Sequence, residues 1–321
     1  MTPMSCRDLG PPKRCTTYAQ EVAGSSSASF IARRCQYEPV DGSRKAPPRG
    51  DDGPVTHVHV NGVELEYVEE GTVVPVVFSH GGGSDLRYWE PQRKVFAARY
   101  RFVAYSHRFH GAARWPAAGD YSADAHCTDL VAIVRRLEAG PVHLVGFSTG
   151  IALRATLREP CLVRSLTIIE PNVPWLLEEA PDGEAIRSWW TEENERVCTE
   201  ADGDPERAAK LWFELVNNAG PDTFDAQPEA FRRMWLDNFG AKRPAAPPPE
   251  PLTCKRLAAI TTPTLVVGAE HGMLYSRRIV DMLARCIPGS RLVVIPGATH
   301  FMSYQEPAAF NETVLGFIGQ H

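Results

Sequence analysis

The chain predicts an α/β fold: a mostly parallel sheet with helices on both faces and an inserted helical cap. Three observations carry it. Between residues 73 and 170, apolar runs of strand length alternate with helix-compatible segments, the pattern of repeated strand–helix–strand units. One of these runs, Leu144-Val145-Gly146-Phe147, passes straight into Ser148-Thr149-Gly150, which sets a serine within Gly-x-Ser-x-Gly at an expected strand-to-helix turn. Strand-like sequence then resumes at about residue 262, after a long helical interruption.

Taken in order, residues 1–53 are rich in Ser, Pro, Gly and Arg and read as a disordered tail. Residues 54–170 form the first part of the core. It opens on Val55–Val60 and Val63–Val68, which alternate apolar and polar residues around Asn61-Gly62, a hairpin signal. Val73–Ser79 is a continuous apolar run suited to a strand buried on both faces, and it leads into His80-Gly81-Gly82-Gly83-Ser84. Tyr100–Tyr105 is the next strand, followed by the loop Ser106-His107-Arg108-Phe109-His110-Gly111. After Ser148, the segment Ile151–Leu157 is helix-compatible, and Leu166–Ile169 is a strand that ends on Glu170. Residues 171–253 interrupt the sheet with helical sequence carrying Trp175, Trp189, Trp190, Trp212 and Trp235, and close on the stiff linker Ala245–Pro251. Residues 254–321 complete the core, with strands at Pro263–Gly268 and Ser290–Ile295 and then Pro296-Gly297-Ala298-Thr299-His300-Phe301.

The chemistry follows from residue types and their order. A serine hydroxyl is a poor nucleophile near neutral pH and needs a base to take its proton; His300, just past the last strand, is the natural one. The glycines at 82 and 83 let bare backbone approach a ligand. Their N–H groups, with that of Thr149 at a helix N-terminus, are candidate donors to an oxyanion.

These motifs, in this order, resemble the α/β-hydrolase superfamily over about residues 55–321, and within it the esterase-like branch with a helical cap and no cofactor. The match rests on His80-Gly81, Trp89, the strand at 100–105, the Ser148 turn, Pro263–Gly268 and Pro296–His300. The chain departs from the family pattern in two places. Ser106-His107-Arg108-Phe109-His110-Gly111 replaces the usual Asp-x-Arg-Gly-x-Gly, and His271 stands where the loop after Gly268 usually supplies an aspartate. The acid that would hold the histidine in the right tautomer is therefore open between two residues. Glu170, at a strand end from which some superfamily members supply the acid, is preferred; Glu270, one residue early in the usual loop, is the alternative.

The resemblance implies a serine hydrolase acting on a small hydrophobic ester or lactone through an acyl-enzyme. Two alternatives remain: a carbon–carbon hydrolase of ring-cleavage products, and a non-enzymatic ligand receptor on the same fold. Candidate pocket residues are His80, Trp89, His107, His110, Phe147, Trp175 and Phe301. His107, Arg108 and His110 are expected mainly to brace their loop, and the cap tryptophans mainly to pack against one another, with one or two facing the pocket.

Composition sets the bounds. A net charge of −5 over 321 residues gives no basic stripe, which speaks against nucleic acid and anionic membrane as partners. No apolar run has spanning length and the first residues lack a secretory signal core. Of the eight cysteines, those in the body are read mainly as free thiols, with a cytoplasmic location as the consequence. His57 and His59 share a strand face without a third ligand, so no metal site is expected. The state expected is a monomer or homodimer without cofactor.

Overall fold

The computed structural model describes residues 56–111, 115–116, 118–239 and 243–321. The expected tail at 1–53 lies outside the described residues. Among the described residues eight strands form one sheet in the order β1-β2-β4-β3-β5-β6-β7-β8. They are β1 (Thr56–Val60), β2 (Val63–Glu70), β3 (Pro75–Ser79), β4 (Arg101–Tyr105), β5 (Val142–Phe147), β6 (Val163–Ile169), β7 (Thr264–Ala269) and β8 (Arg291–Ile295). β1, β2 and β4 pair antiparallel, and every pairing from β4 through β8 is parallel.

The hairpin forms where its turn chemistry placed it. Val60 pairs with Val63 across Asn61 (φ 47°) and Gly62 (φ 75°), both left-handed, as a two-residue turn with the twist of a hairpin requires. β3, β5 and β7 are buried at every residue, which explains their largely apolar sequence; the buried His143 within β5 pairs with Ser165 Oγ at 2.8 Å. β8 lies at the sheet edge and leaves Leu292 and Val294 largely exposed. Helices α1 (Glu90–Ala97), α2 (Ala123–Arg136) and α3 (Ile151–Arg158) connect the first parallel strands. Ser122 caps α2 by accepting from the Ala125 N–H.

Between β6 and β7 the chain runs through a 3-10 turn (Pro174–Glu179) and helices α4 (Gly183–Ala201), α5 (Pro205–Val216) and α6 (Glu229–Phe239). α5 starts cleanly because Pro205 follows Asp204, whose carboxylate accepts from the N–H groups of Glu206 and Arg207. Its buried face is Ala208, Ala209, Trp212, Phe213, Leu215 and Val216. On this face Phe213 stacks on Phe301 at 5.4 Å between ring centroids. A polar clamp joins α6 to the core: Asn238 donates to the buried Asp85 at 2.7 Å and accepts from the Gly111 N–H at 2.9 Å. Burial works to raise the Asp85 carboxyl, but Arg87 and the Asn238 hydrogen bond together hold it below the usual range.

Helices α7 (Cys254–Leu257), α8 (Leu274–Cys286), α9 (Met302–Gln305) and α10 (Pro307–Ile318) complete the chain. The expectation of free body cysteines is corrected here. Cys254 and Cys286 form a disulfide that ties the start of α7 to the end of α8, and Cys198 is disulfide-bonded as well. Cys127 and Cys161 are free. Disulfides belong to oxidising surroundings, so the cysteines no longer argue for a cytoplasmic location. No helix among the described residues is long and apolar enough to cross a membrane. Cys254 and Cys286 are 32 residues apart. A cross-link closing a loop of that size stabilises by about 2–4 kcal/mol through the unfolded chain. Cys254→Ser/Cys286→Ser should lower the urea midpoint accordingly, and reductant should then have a smaller effect on the variant than on wild type.

Candidate active site

The parallel strands all present their C-terminal ends to one edge of the sheet, where ligands bind in open α/β sheets. Ser79↔Gly146 and Phe147↔Ile169 are register partners, so the residues that follow β3, β5 and β6 emerge side by side. Ser148 follows β5 with φ 59°, a strained conformation for a residue with a Cβ. It is locked from both sides: its N–H donates to the Ile169 carbonyl at 2.9 Å and its carbonyl accepts from the Asn172 N–H at 2.7 Å. The two flanking glycines are not equivalent. A Cβ on Gly146 would lie 2.4 Å from the Ala152 Cβ, whereas one on Gly150 would meet the Leu252 and Val173 side chains at 3.2 and 3.4 Å.

His300 and Glu170 converge on this serine. His300 Nε2 is 3.2 Å from Ser148 Oγ, and its Nδ1 is 2.8 Å from Glu170 Oε2. The second Glu170 oxygen accepts from the Ala269 N–H at 3.0 Å. Both residues are buried, Glu170 with a left-handed φ of 36° that swings its side chain back over the sheet edge. Glu270 is elsewhere: it is exposed and accepts from the Gly297 N–H at 2.7 Å, with His271 beside it at 3.9 Å. Of the two candidate acids, then, Glu170 is the one in contact with His300.

The glycine loop is held by its carbonyls. That of Gly81 accepts from His80 Nδ1 at 2.7 Å and from Ser84 Oγ at 3.2 Å. That of Gly82 faces His110 Nε2 at 3.1 Å and accepts from Arg243 at 3.4 Å. In a planar trans peptide the following N–H points the opposite way, so these grips orient the N–H groups of Gly82 and Gly83. No described residue accepts a hydrogen bond from either. Gly81 lies against the serine: a Cβ there would come within 3.0 Å of Ser148 Cβ. Gly83 admits no side chain because the Trp235 ring would be 2.3 Å away. The Thr149 N–H turns to the Phe147 carbonyl at 2.6 Å, so an oxyanion would have to share it.

A cavity opens over Ser148. Of the seven pocket candidates, His107, His110, Phe147, Trp175 and Phe301 line it. His80 and Trp89 do not and are corrected. His80 is fully buried beneath the glycine loop, and Trp89 is a core ring packed on Phe78 at 4.9 Å. Trp190, Trp212 and Trp235 join the cavity wall, so more of the insertion's tryptophans face it than expected. Trp190 also stacks on Tyr275 at 4.6 Å, and the same rings thus serve packing and pocket together. His107 and His110 brace their loop as anticipated: His107 Nε2 pairs with Ser79 Oγ at 2.9 Å, and His110 Nδ1 with the Arg108 carbonyl at 3.0 Å. Arg108 makes a bidentate pair with Asp129 at 2.7 Å on both arms. Sequence reasoning missed Arg154 and Tyr121, which also line the cavity; the position of Arg154 one turn past Gly150, on the helix that starts at the serine, is the signal that was available.

His80, His107 and His110 bring ring nitrogens within 4.8 Å of one another, a spacing that can suit a metal. The rings are already committed. His80 uses Nδ1 on the Gly81 carbonyl and accepts the His107 N–H on Nε2 at 2.8 Å, which leaves it no lone pair for an ion. Burial depresses all three, His80 to about 4 and the other two well below the usual value, with neighbouring rings and Arg243 adding to the effect.

Residues 76–313 match the model of the Alpha/beta hydrolase family. The chain belongs to that family. It is 24% identical over 287 residues, 82% of this chain and 98% of the relative, to "Putative carbamate hydrolase RutD" of Azorhizobium caulinodans. It is 25% identical to 2-(acetamidomethylene)succinate hydrolase of Mesorhizobium japonicum over 81% of this chain and 94% of that protein. Among solved structures it is similar to Est816, described as an N-acyl homoserine lactone degrading enzyme. That likeness has a TM-score of 0.56 and 28% identity, over 82% of this chain and all of the other. This alpha/beta hydrolase family member is accordingly a hydrolase, and its eight-stranded sheet is that fold.

Proposed function

We propose that this hydrolase cleaves a small carboxylic ester or lactone through an acyl-enzyme on Ser148. The observation that carries the reading is the contact chain from Ser148 Oγ to His300 Nε2, 3.2 Å, and from His300 Nδ1 to Glu170, 2.8 Å, beneath a loop in which no described residue accepts from the N–H of Gly82 or Gly83. Ser148 attacks the carbonyl while His300 takes its proton, and Glu170 fixes the tautomer and stabilises the imidazolium. The N–H groups of Gly82 or Gly83, with a share of that of Thr149, receive the developing negative charge. His300 then returns its proton to the leaving group and activates water for deacylation. The tryptophan and phenylalanine rings on the wall favour an apolar acyl or alcohol group, and the likeness to Est816 supports including lactones. The relatives named for carbamate and acetamido substrates favour a second reading, in which the same machinery cleaves an acyl–nitrogen bond.

The test is intact-mass analysis after exposure to a fluorophosphonate, beside turnover of short p-nitrophenyl esters and the matching anilides. A single adduct on wild type, none on Ser148→Ala, and faster ester than anilide cleavage are expected. An unlabelled wild type would remove the serine reading, and anilide cleavage in excess of ester would transfer it to the acyl–nitrogen bond.

A further inference from the structure

The formally charged side chains on the cavity wall, histidines aside, are Glu170 and Arg154. Glu170 is used up by His300 and the Ala269 N–H. Arg154 is not. It is half-buried on α3, its guanidinium lies over the Trp175 ring at 5.7 Å, and no described carboxylate comes within ion-pairing distance. The arginines around it have taken the available acids: Arg158 pairs with Asp124, and Arg256 with Glu250 at 2.8 Å. Burial and the nearby Arg256 work against the Arg154 charge, with Glu250 opposing them from a distance, so an anion brought into the cavity beside the guanidinium would be favoured. A cation–π contact of that length places the guanidinium over the ring face without using its N–H donors, which leaves them open to a planar, bidentate acceptor.

We infer, on the footing of the function proposed above, that Arg154 receives a carboxylate carried by the substrate while the scissile carbonyl lies at Ser148. The substrate class is then an ester of a short dicarboxylic acid, with one carboxyl acylated and the other free. The spacing is set by α3: Arg154 is four residues beyond Gly150, about 6 Å along the helix axis. Arg154 and Ser148 line the same cavity, so one short ligand can reach both. The apolar rings bind the methylenes, and the remaining polar wall atoms, such as the buried and unpartnered Thr149 Oγ1, are free to contact the rest of the ligand.

The test compares mono-p-nitrophenyl glutarate with p-nitrophenyl butyrate, in wild type, Arg154→Gln, Arg154→Lys and Arg158→Gln. Wild type should favour the glutarate ester in kcat/KM. Arg154→Gln should lower the glutarate-to-butyrate ratio by about tenfold, and Arg154→Lys should restore part of it. Arg158→Gln should leave the ratio as in wild type. Free glutarate should raise the thermal midpoint of wild type and fail to do so in Arg154→Gln, a binding readout that does not need turnover. A ratio that is the same in wild type and Arg154→Gln, or glutarate stabilising both equally, overturns the inference. The serine reading is scored separately by fluorophosphonate labelling of wild type, so each can fail without the other.

Discussion

Ester turnover should fall about 10⁶-fold in Ser148→Ala and about 10⁴-fold in Glu170→Gln, while Glu270→Gln stays within a few-fold of wild type. The first figure is the scale on which an intact triad exceeds one without its nucleophile. The second is the scale on which a neutral amide in place of the carboxylate leaves the imidazole in the wrong tautomer. In Glu170→Gln the amide can donate to His300 Nδ1, which would then present Nε2–H rather than a lone pair to Ser148. The loss should be in kcat more than KM, since Glu170 reaches the reacting atoms through His300. The Glu270 carboxylate instead caps the Gly297 N–H and faces solvent, so its removal costs a loop contact. Steady-state kinetics on one ester separates the cases. Equal losses in Glu170→Gln and Glu270→Gln would mean that the loop after β7 rearranges in solution, and a loss confined to Glu270→Gln would reverse the assignment of the acid.

The contrast between these two glutamates also marks how far the sequence could be read. Ser148 was legible because its constraint is local: Gly146 has to clear Ala152, and both lie within six residues of one another. The hairpin at Asn61-Gly62 was legible for the same reason, since two consecutive left-handed residues leave a compositional mark. Glu170 and His300 are 130 residues apart, and only the register of β6, β7 and β8 brings them together. Strand ends at 169 and 269 both offered a glutamate, and nothing local distinguishes a side chain that turns back over the sheet from one that faces water. The Cys254–Cys286 bond escaped for a related reason: the two residues sit on separate helices, and α7 packing beside α8 closes their Cα atoms to 4.9 Å. Trp89 shows the opposite failure. A large ring near the glycine loop fits a pocket wall and a core equally well from sequence, and the packing with Phe78, Tyr88 and Phe147 decides for the core.

The departure at residues 106–111 has its own consequence, which is acid lability. His80, His107, His110 and His126 form one buried group, with ring centroids from 3.7 Å (His80 to His107) to 6.3 Å (His110 to His126). Burial drives every one of them below the usual imidazole range, His80 to about 4 and His126 to about 3. Nearby Arg108 and Arg243, together with the other rings, push in the same direction. Unfolding releases each ring to an ordinary value near 6.5. Between that value and the depressed one, the unfolded chain binds the proton and the folded chain does not, so stability rises with pH across the window. The contribution is therefore complete above about pH 6.5 and is lost as the pH falls toward 4. A ring that stays neutral in the folded chain and is protonated in the unfolded one costs up to about 1.4 kcal/mol per pH unit, and all four rings act in the same direction. The urea midpoint should consequently fall from pH 7 to pH 5 and go on falling toward pH 4. His126→Gln should make that slope shallower by about one proton, because His126 Nδ1 is buried without a partner and the change removes a titrating ring without breaking a bond at that atom. A midpoint that is flat between pH 7 and pH 5 would mean that these rings take up protons without unfolding the chain. The loop at 106–111 and the glycine loop it braces would then have to rearrange around the new charges while remaining folded.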